Sequence, residues 1–179
     1  MEKSKISGLQ KFVQRRTKRL DLLEDSYSKA MRAKLRRAVG KPLEESTDVW
    51  EFTLLGAPKK DADIAHTVLT LYALHMQGKD RSMNANGIGF GRAIAKLVDK
   101  DNEAAIKRRF NSACTSADFA ELAHHARGLI QMMRAKDIGF DYPRFASELR
   151  RFKDPERASA VRLTWGEDFY RNIKEEDEE

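Results

Sequence analysis

The sequence predicts an all-α protein of roughly eight helices, built as one bundle or as two packed lobes. Three observations carry that expectation. Apolar residues recur at helical spacing along most of the 179 residues, glycine and proline punctuate the periodic segments, and no alternating strand pattern of useful length occurs. The elements follow in order. Lys3 to Arg19 reads as an amphipathic lead-in helix, with Leu9, Phe12 and Val13 among its charges. Asp25 or Ser26 caps a helix that runs to Val39 and stops at Gly40, with Pro42 just beyond. Tyr27, Met31, Leu35 and Val39 form its apolar stripe, so Lys29, Arg32 and Arg36 are expected to point away from the core. Asp48 opens a short helix through Leu55, ended by Gly56 and Pro58. Asp61 opens a longer one, with Ile64, Val68, Leu71, Tyr72 and Met76 on one face and an end near Gly78.

Residues 79–88 are polar and aperiodic and run into a glycine cluster at 87–91, and are expected to form a flexible loop. A helix from Phe90 to Val98 follows, with Arg92 and Lys96 along one side. Asn102 starts the next, on which Ile106 and Phe110 face inward and Lys107, Arg108 and Arg109 outward. Ser116 is the expected cap of a helix to Ala135. Asp141 caps another, with Pro143 in its first turn, where a missing N–H does no harm. Pro155 opens the last helix, which carries Val161, Trp165 and Phe169. Trp50, Phe110, Phe145, Phe152 and Trp165 all fall on apolar stripes, so core packing is expected of them and base stacking is not. Residues 1–174 form the expected single all-α unit, and 175–179 an acidic, disordered tail.

That tail hides how basic the rest is. The chain holds 34 Lys and Arg against 28 Asp and Glu; without the last five residues, all acidic, 23 acids face the same 34 bases and the net charge rises from +6 to +11. Arginine supplies more than half of the positive charge and occurs in adjacent pairs at 15–16, 36–37, 108–109 and 150–151. Such a body attracts polyanions, and the guanidinium fork suits phosphate.

Other function classes find little support. The single cysteine, Cys114, excludes an internal disulfide and fits a reducing cytosol. The N-terminus lacks the apolar core of a signal peptide, and no run approaches the roughly 18 apolar residues of a membrane span, so a soluble, cytoplasmic protein without membrane contact is expected. P-loop, G-x-S-x-G, H-E-x-x-H and zinc spacings are missing. Gly87-Ile88-Gly89-Phe90-Gly91-Arg92 has the wrong spacing for a dinucleotide loop, but it leaves backbone N–H groups and Arg92 at a helix start, where a phosphate could sit. Asp63-x-x-His66 and Glu121-x-x-His124 have the spacing of di-iron bundle ligands, yet no inward glutamates complete the set. No metal or other cofactor is therefore expected. A di-iron protein remains an alternative, as does a stand-alone DNA-binding regulator, which would concentrate its charge on one recognition helix.

Several stretches resemble a known family. They are Arg32-Ala-Lys-Leu-Arg-Arg-Ala-Val-Gly-Lys-Pro42, Leu71-Tyr-Ala-Leu-His75, Gly87-Ile-Gly-Phe-Gly-Arg-Ala-Ile-Ala95, Ile106-Lys-Arg-Arg-Phe-Asn111, Ile138-Gly-Phe-Asp-Tyr-Pro143 and Val161-Arg-Leu-Thr-Trp-Gly-Glu-Asp-Phe-Tyr170. In order and spacing they resemble the CasB family, the small subunit of the type I-E CRISPR Cascade surveillance complex, over roughly residues 10 to 171. The resemblance implies an all-helical, non-catalytic subunit that works as a pair of copies beside the crRNA-bearing backbone subunits and the large subunit. It further implies contact with the crRNA–target heteroduplex and the displaced DNA strand of the R-loop. The basic residues within or beside the matching stretches, and hence the candidate nucleic-acid contacts, are Arg36, Arg37, Arg92, Arg108, Arg109, Arg127, Arg157 and Arg162. Lys60 and Arg81 join them from loops where the family places positive charge.

Overall fold

A helix that is buried over most of its circumference runs through the middle of the molecule. In the computed structural model, which describes residues 7–176 and side chains to residue 173, nine α-helices are present among the described residues. They are α1 (Gly8–Leu20), α2 (Ser26–Arg37), α3 (Trp50–Leu54), α4 (Ala62–His75), α5 (Phe90–Ala95), α6 (Glu103–Cys114), α7 (Phe119–Ala135), α8 (Tyr142–Phe152) and α9 (Pro155–Glu176). The central helix is α4, and eleven of its fourteen residues are buried. The sequence pattern marked one apolar face on it; Ala65, Leu69 and Ala73 extend the buried surface around the cylinder. Helices α1, α2, α3, α7 and α8 pack on it, while α5, α6 and α8 pack with α7 and α9. The buried apolar side chains form one cluster. Among the described residues no helix is long and apolar enough to cross a membrane.

Local signals set most boundaries. Ser7 and Gln10 make a reciprocal capping box at the start of α1. Asp25 accepts from the Ser28 N–H, and Asp141 from the Arg144 N–H, as their positions predict. At the start of α7 the cap is Asp118, which accepts from Glu121 N–H; the expected cap, Ser116, instead donates to the Ser112 carbonyl. Of the acidic tail, Glu175 and Glu176 continue the backbone of α9, and residues 177–179 lie outside the described residues.

Two residues of α2 depart from the expected pattern. Tyr27 is exposed, whereas Arg32 is buried. Its guanidinium donates to the carbonyls of Leu20, Leu22 (3.4 Å) and Leu23 (3.2 Å), at the end of α1 where helix carbonyls lack partners. A cation at that end also meets the negative pole of the helix dipole. Trp50 is another departure. It lies at the surface, 38 % exposed, and donates from Nε1 to the Leu43 carbonyl.

Residues 79–88, expected to be flexible, are tied to the segment before α8. Ala85 N–H donates to Phe140 O, Phe140 N–H to Met83 O, and Asp141 N–H to Ile88 O; Met83 is fully packed. The glycine cluster beyond has a packing role. A Cβ on Gly91 would lie 2.3 Å from the Trp165 carbonyl oxygen, so only glycine lets α5 approach the α9 backbone this closely. Gly89 faces Arg144 and Asp168, and Asp141 accepts from the Gly87 N–H. These contacts account for the glycines without a phosphate.

Trp165 anchors α9. Its Nε1–H donates to buried Glu148, which also pairs with Arg144; Arg144 in turn reaches Asp168 at 3.1 Å. Burial raises the Glu148 pKa, opposed by the Trp165 and Arg144 hydrogen bonds. Gly91→Ala should force α5 and α9 apart and lower stability by about 2–3 kcal/mol, a fall of roughly 5–10 °C in melting temperature. Calorimetry checks this, and an unchanged melting temperature would contradict the close approach.

On α4, His75 is fully buried, with Nδ1 2.9 Å from the Tyr142 hydroxyl. Burial lowers its pKa from 6.5 to about 4, helped by nearby Lys79 and Arg134. The unfolded chain therefore takes up a proton between those values that the folded chain refuses. Stability from this group is complete above pH 6.5 and is lost as pH falls towards 4. The full loss is on the order of 3 kcal/mol. Urea midpoints measured from pH 7 to pH 4.5 should fall less steeply in His75→Asn than in the parent; parallel curves would show that another group dominates.

Candidate nucleic-acid interface

The arginines divide into those the fold consumes and those it leaves facing water. Arg16 packs over the rings of Phe12 (5.1 Å) and Phe52 (4.8 Å) and donates to Leu55 O, joining α1 to α3. Burial lowers its pKa, with Tyr27, Arg15 and Glu51 as smaller influences. Arg150 reaches the buried carboxylate of Asp61 at 3.4 Å. Arg32 and Arg144 are committed as described. Sequence adjacency alone therefore does not make two arginines act together: Arg16 and Arg150 are each taken up by the fold, since neighbours on a helix point about 100° apart. Arg15 is exposed beside a committed Arg16.

Four of the candidate residues gather on one face. Arg36 and Arg37 end α2, and the chain then turns at Gly40, whose φ is +77°. Arg127 crosses from α7 to that turn: its Nη1 would lie 3.3 Å from a Cβ on Gly40. Burial lowers the Arg36 pKa, followed by the charges of Arg32, Arg37 and Arg134, which places Arg134 of α7 in the same field. Arg109, on α6, meets α7 beside Gly128. Arg109, Arg127, His124, His125 and Gln131 line a depression of about 270 Å³. Arg37, Arg109 and Arg127 make no ion pair with another described residue. Several unpaired guanidinium groups held side by side repel one another, and a bound polyanion would relieve that repulsion.

The remaining candidates sit elsewhere or are partly occupied. Arg108 is exposed next to Arg109 on α6. Arg81 donates to the Asp137 carbonyl just past the end of α7. Lys60 precedes α4, Arg92 lies on the outer side of α5, and Arg157 pairs with Asp154 at 3.3 Å on α9. Arg162 lies over the Phe152 ring at 4.9 Å and donates to Ser116 O, so it helps hold α9 against the α6–α7 junction. Sequence reasoning passed over Arg134 and Gln131. With Arg127 they stand at i, i+4 and i+7 on α7, a polar stripe that a helical wheel would have exposed.

The two carboxylate–histidine pairs do not build a common metal centre. Asp63 pairs with Lys153, and His66 Nε2 lies 3.2 Å from the Lys41 carbonyl. Glu121 accepts from Ala117 N–H and lies 3.7 Å from His125. Among the described residues no group of three or more potential ligands could hold a metal ion. Cys114 is a half-buried thiol whose pKa is pushed up to about 11 by burial, the opposite of what a nucleophile needs.

Fold and surface together define an all-α protein whose distinctive chemistry is a cationic face assembled from three helices. The family model described as CRISPR-associated protein Cse2 (CRISPR_cse2) matches residues 31–170, and the chain belongs to that family. Among solved structures it is similar to CasB from Thermobifida fusca, at 28% identity and a TM-score of 0.81, covering 92% of this chain and 99% of that one. CasB from Thermus thermophilus is similar at 21% identity and a TM-score of 0.70, over 88% of this chain and 97% of that one. A chain of a CRISPR RNA-guided surveillance complex superposes with a TM-score of 0.78 at 18% identity, over 95% of this chain and 98% of that one. The last two likenesses concern the fold. Comparison with curated proteins finds no match.

Proposed function

We propose that this chain is the non-catalytic small subunit of a type I-E CRISPR Cascade complex. Its task is to hold nucleic-acid backbone, from the crRNA–target heteroduplex to the displaced DNA strand, and so to stabilise the R-loop. It does so as one of two copies lying beside the backbone and large subunits. The observation that carries this reading is the gathering of Arg36, Arg37, Arg109 and Arg127 on one face of a Cse2-family fold. Arg92, Arg108, Arg157, Arg162, Lys60 and Arg81 would extend or flank that face in the assembled complex.

The physics fits the task. R-loop formation exchanges one duplex for another of similar stability, so a few phosphate contacts are enough to tip it. Guanidinium groups on three helices, rather than on one recognition helix, suit a track along a backbone and not a reading of base edges. Arg109→Ala with Arg127→Ala should leave assembly with the partner subunits and guide intact. Target binding by the reconstituted complex should weaken, and its log–log salt slope should fall by about 1.8 for the two lost contacts. Unaltered affinity and slope in an intact mutant complex would place the track on other residues.

A further inference from the structure

Tyr27 belongs to the apolar pattern of α2, yet its ring is 42 % exposed and lies outside the core cluster. A lone exposed tyrosine is ordinary. The surroundings of this one are not. Helices α1 and α2 carry five Lys or Arg each and no acidic residue. Tyr27, Ala30, Lys34 and Arg37 stand at i, i+3, i+7 and i+10 on α2, with Ala30 and Arg37 exposed and Lys34 half-buried. Neither Lys34 nor Arg37 pairs with an acid among the described residues. At about 1.5 Å per residue, the row joins the gathered arginines to the ring over about 15 Å. Ala30, between them, is too short to obstruct a strand lying along the row.

The charge changes from one end of this row to the other. Arg37 stands with Arg36, Arg109 and Arg127, where anionic groups are favoured. At the ring end acids appear. Asp25 is taken up by the Ser28 N–H (2.8 Å) and by Arg19 (3.1 Å), while Glu24 and Glu51 are exposed. Glu51 acts on the charge of Arg16, as Tyr27 does. A phosphate is therefore better placed near Arg37, and an uncharged group near Tyr27. The Arg19 guanidinium lies over the Tyr27 ring, 5.1 Å from its centroid, and its side chain is 40 % exposed. Aromatic rings and guanidinium planes are the flat surfaces on which unpaired nucleobases stack.

We propose that a single strand, its phosphates held by Arg37, Arg109 and Arg127, runs along α2 and stacks one base on the Arg19–Tyr27 platform. The inference rests on the backbone-binding reading above and adds a base contact to it. Every base has a flat face, so the platform anchors the strand without reading its sequence. Bases inside a duplex are already stacked on both faces. The platform thus favours an unpaired strand over a heteroduplex.

The test uses the purified full chain and two probes: a fluorescent oligothymidylate, and the same phosphodiester backbone made abasic throughout. The wild-type chain should bind the base-bearing strand roughly tenfold more tightly than the abasic one. Tyr27→Ala should abolish that difference and keep the salt slope, while Tyr27→Phe should retain the difference. Equal wild-type affinity for both strands would overturn the platform and leave backbone binding standing. So would a preference that survives Tyr27→Ala, or one already lost in Tyr27→Phe, which would assign it to the hydroxyl. If Tyr27→Ala instead impairs assembly with the partner subunits and leaves the preference intact, the ring is a protein contact and the proposal fails. Salt-independent or undetectable binding of both strands would remove the backbone reading and this one with it.

Discussion

The near-complete burial of α4 is the constraint from which the rest follows. A helix with so little outward face must be wrapped, and α2 and α7 are two of its wrappers. Both pack apolar side chains on α4 and turn polar residues outward. Arg127 of α7 thereby reaches the Gly40 turn that follows α2, and α6, packed on α7, adds Arg109. The cationic face is a consequence of this packing. No single element carries it.

Supporting contacts keep that arrangement in register. Arg32 binds the end of α1 to α2, Arg16 binds α1 to α3, and Arg150 reaches Asp61 at the start of α4. On the far side, Gly91 lets α5 lie directly on α9, and the buried Trp165–Glu148–Arg144 group locks α8 to α9. Arginine thus has two uses here. Where the stem can lie on a ring or the fork can reach a helix end, it is structural; where it ends a polar stripe, it is left for a partner.

Much of the fold was legible in the sequence because its signals are local. Asp25, Asp141, Gly40, Gly56 and Gly78 mark helix ends by capping and by left-handed backbone, and each behaves as its position suggested. What was not legible depends on distant chain segments. Arg32 looked solvent-facing because its ligands are carbonyls of another helix. The 79–88 segment looked free because its partners lie some fifty residues on, around Phe140. Gly87, Gly89 and Gly91 suggested a phosphate loop, since sequence does not reveal that Trp165 passes overhead. The site suffered the same way. Adjacent arginine pairs drew attention, yet the productive grouping crosses α2, α6 and α7 and includes Arg134 and Gln131.

The central claim is that position, and not net charge, makes the surface a nucleic-acid face. Two triple variants with equal charge loss separate these. One removes Arg37, Arg109 and Arg127 from the gathered face; the other removes Lys60, Arg92 and Arg157 from scattered sites. The decisive measurement is the log–log salt slope of single-strand binding by each folded variant. The account predicts a fall of about two for the gathered set and little change for the scattered set. Equal falls would mean that the chain binds through diffuse charge, and would contradict it.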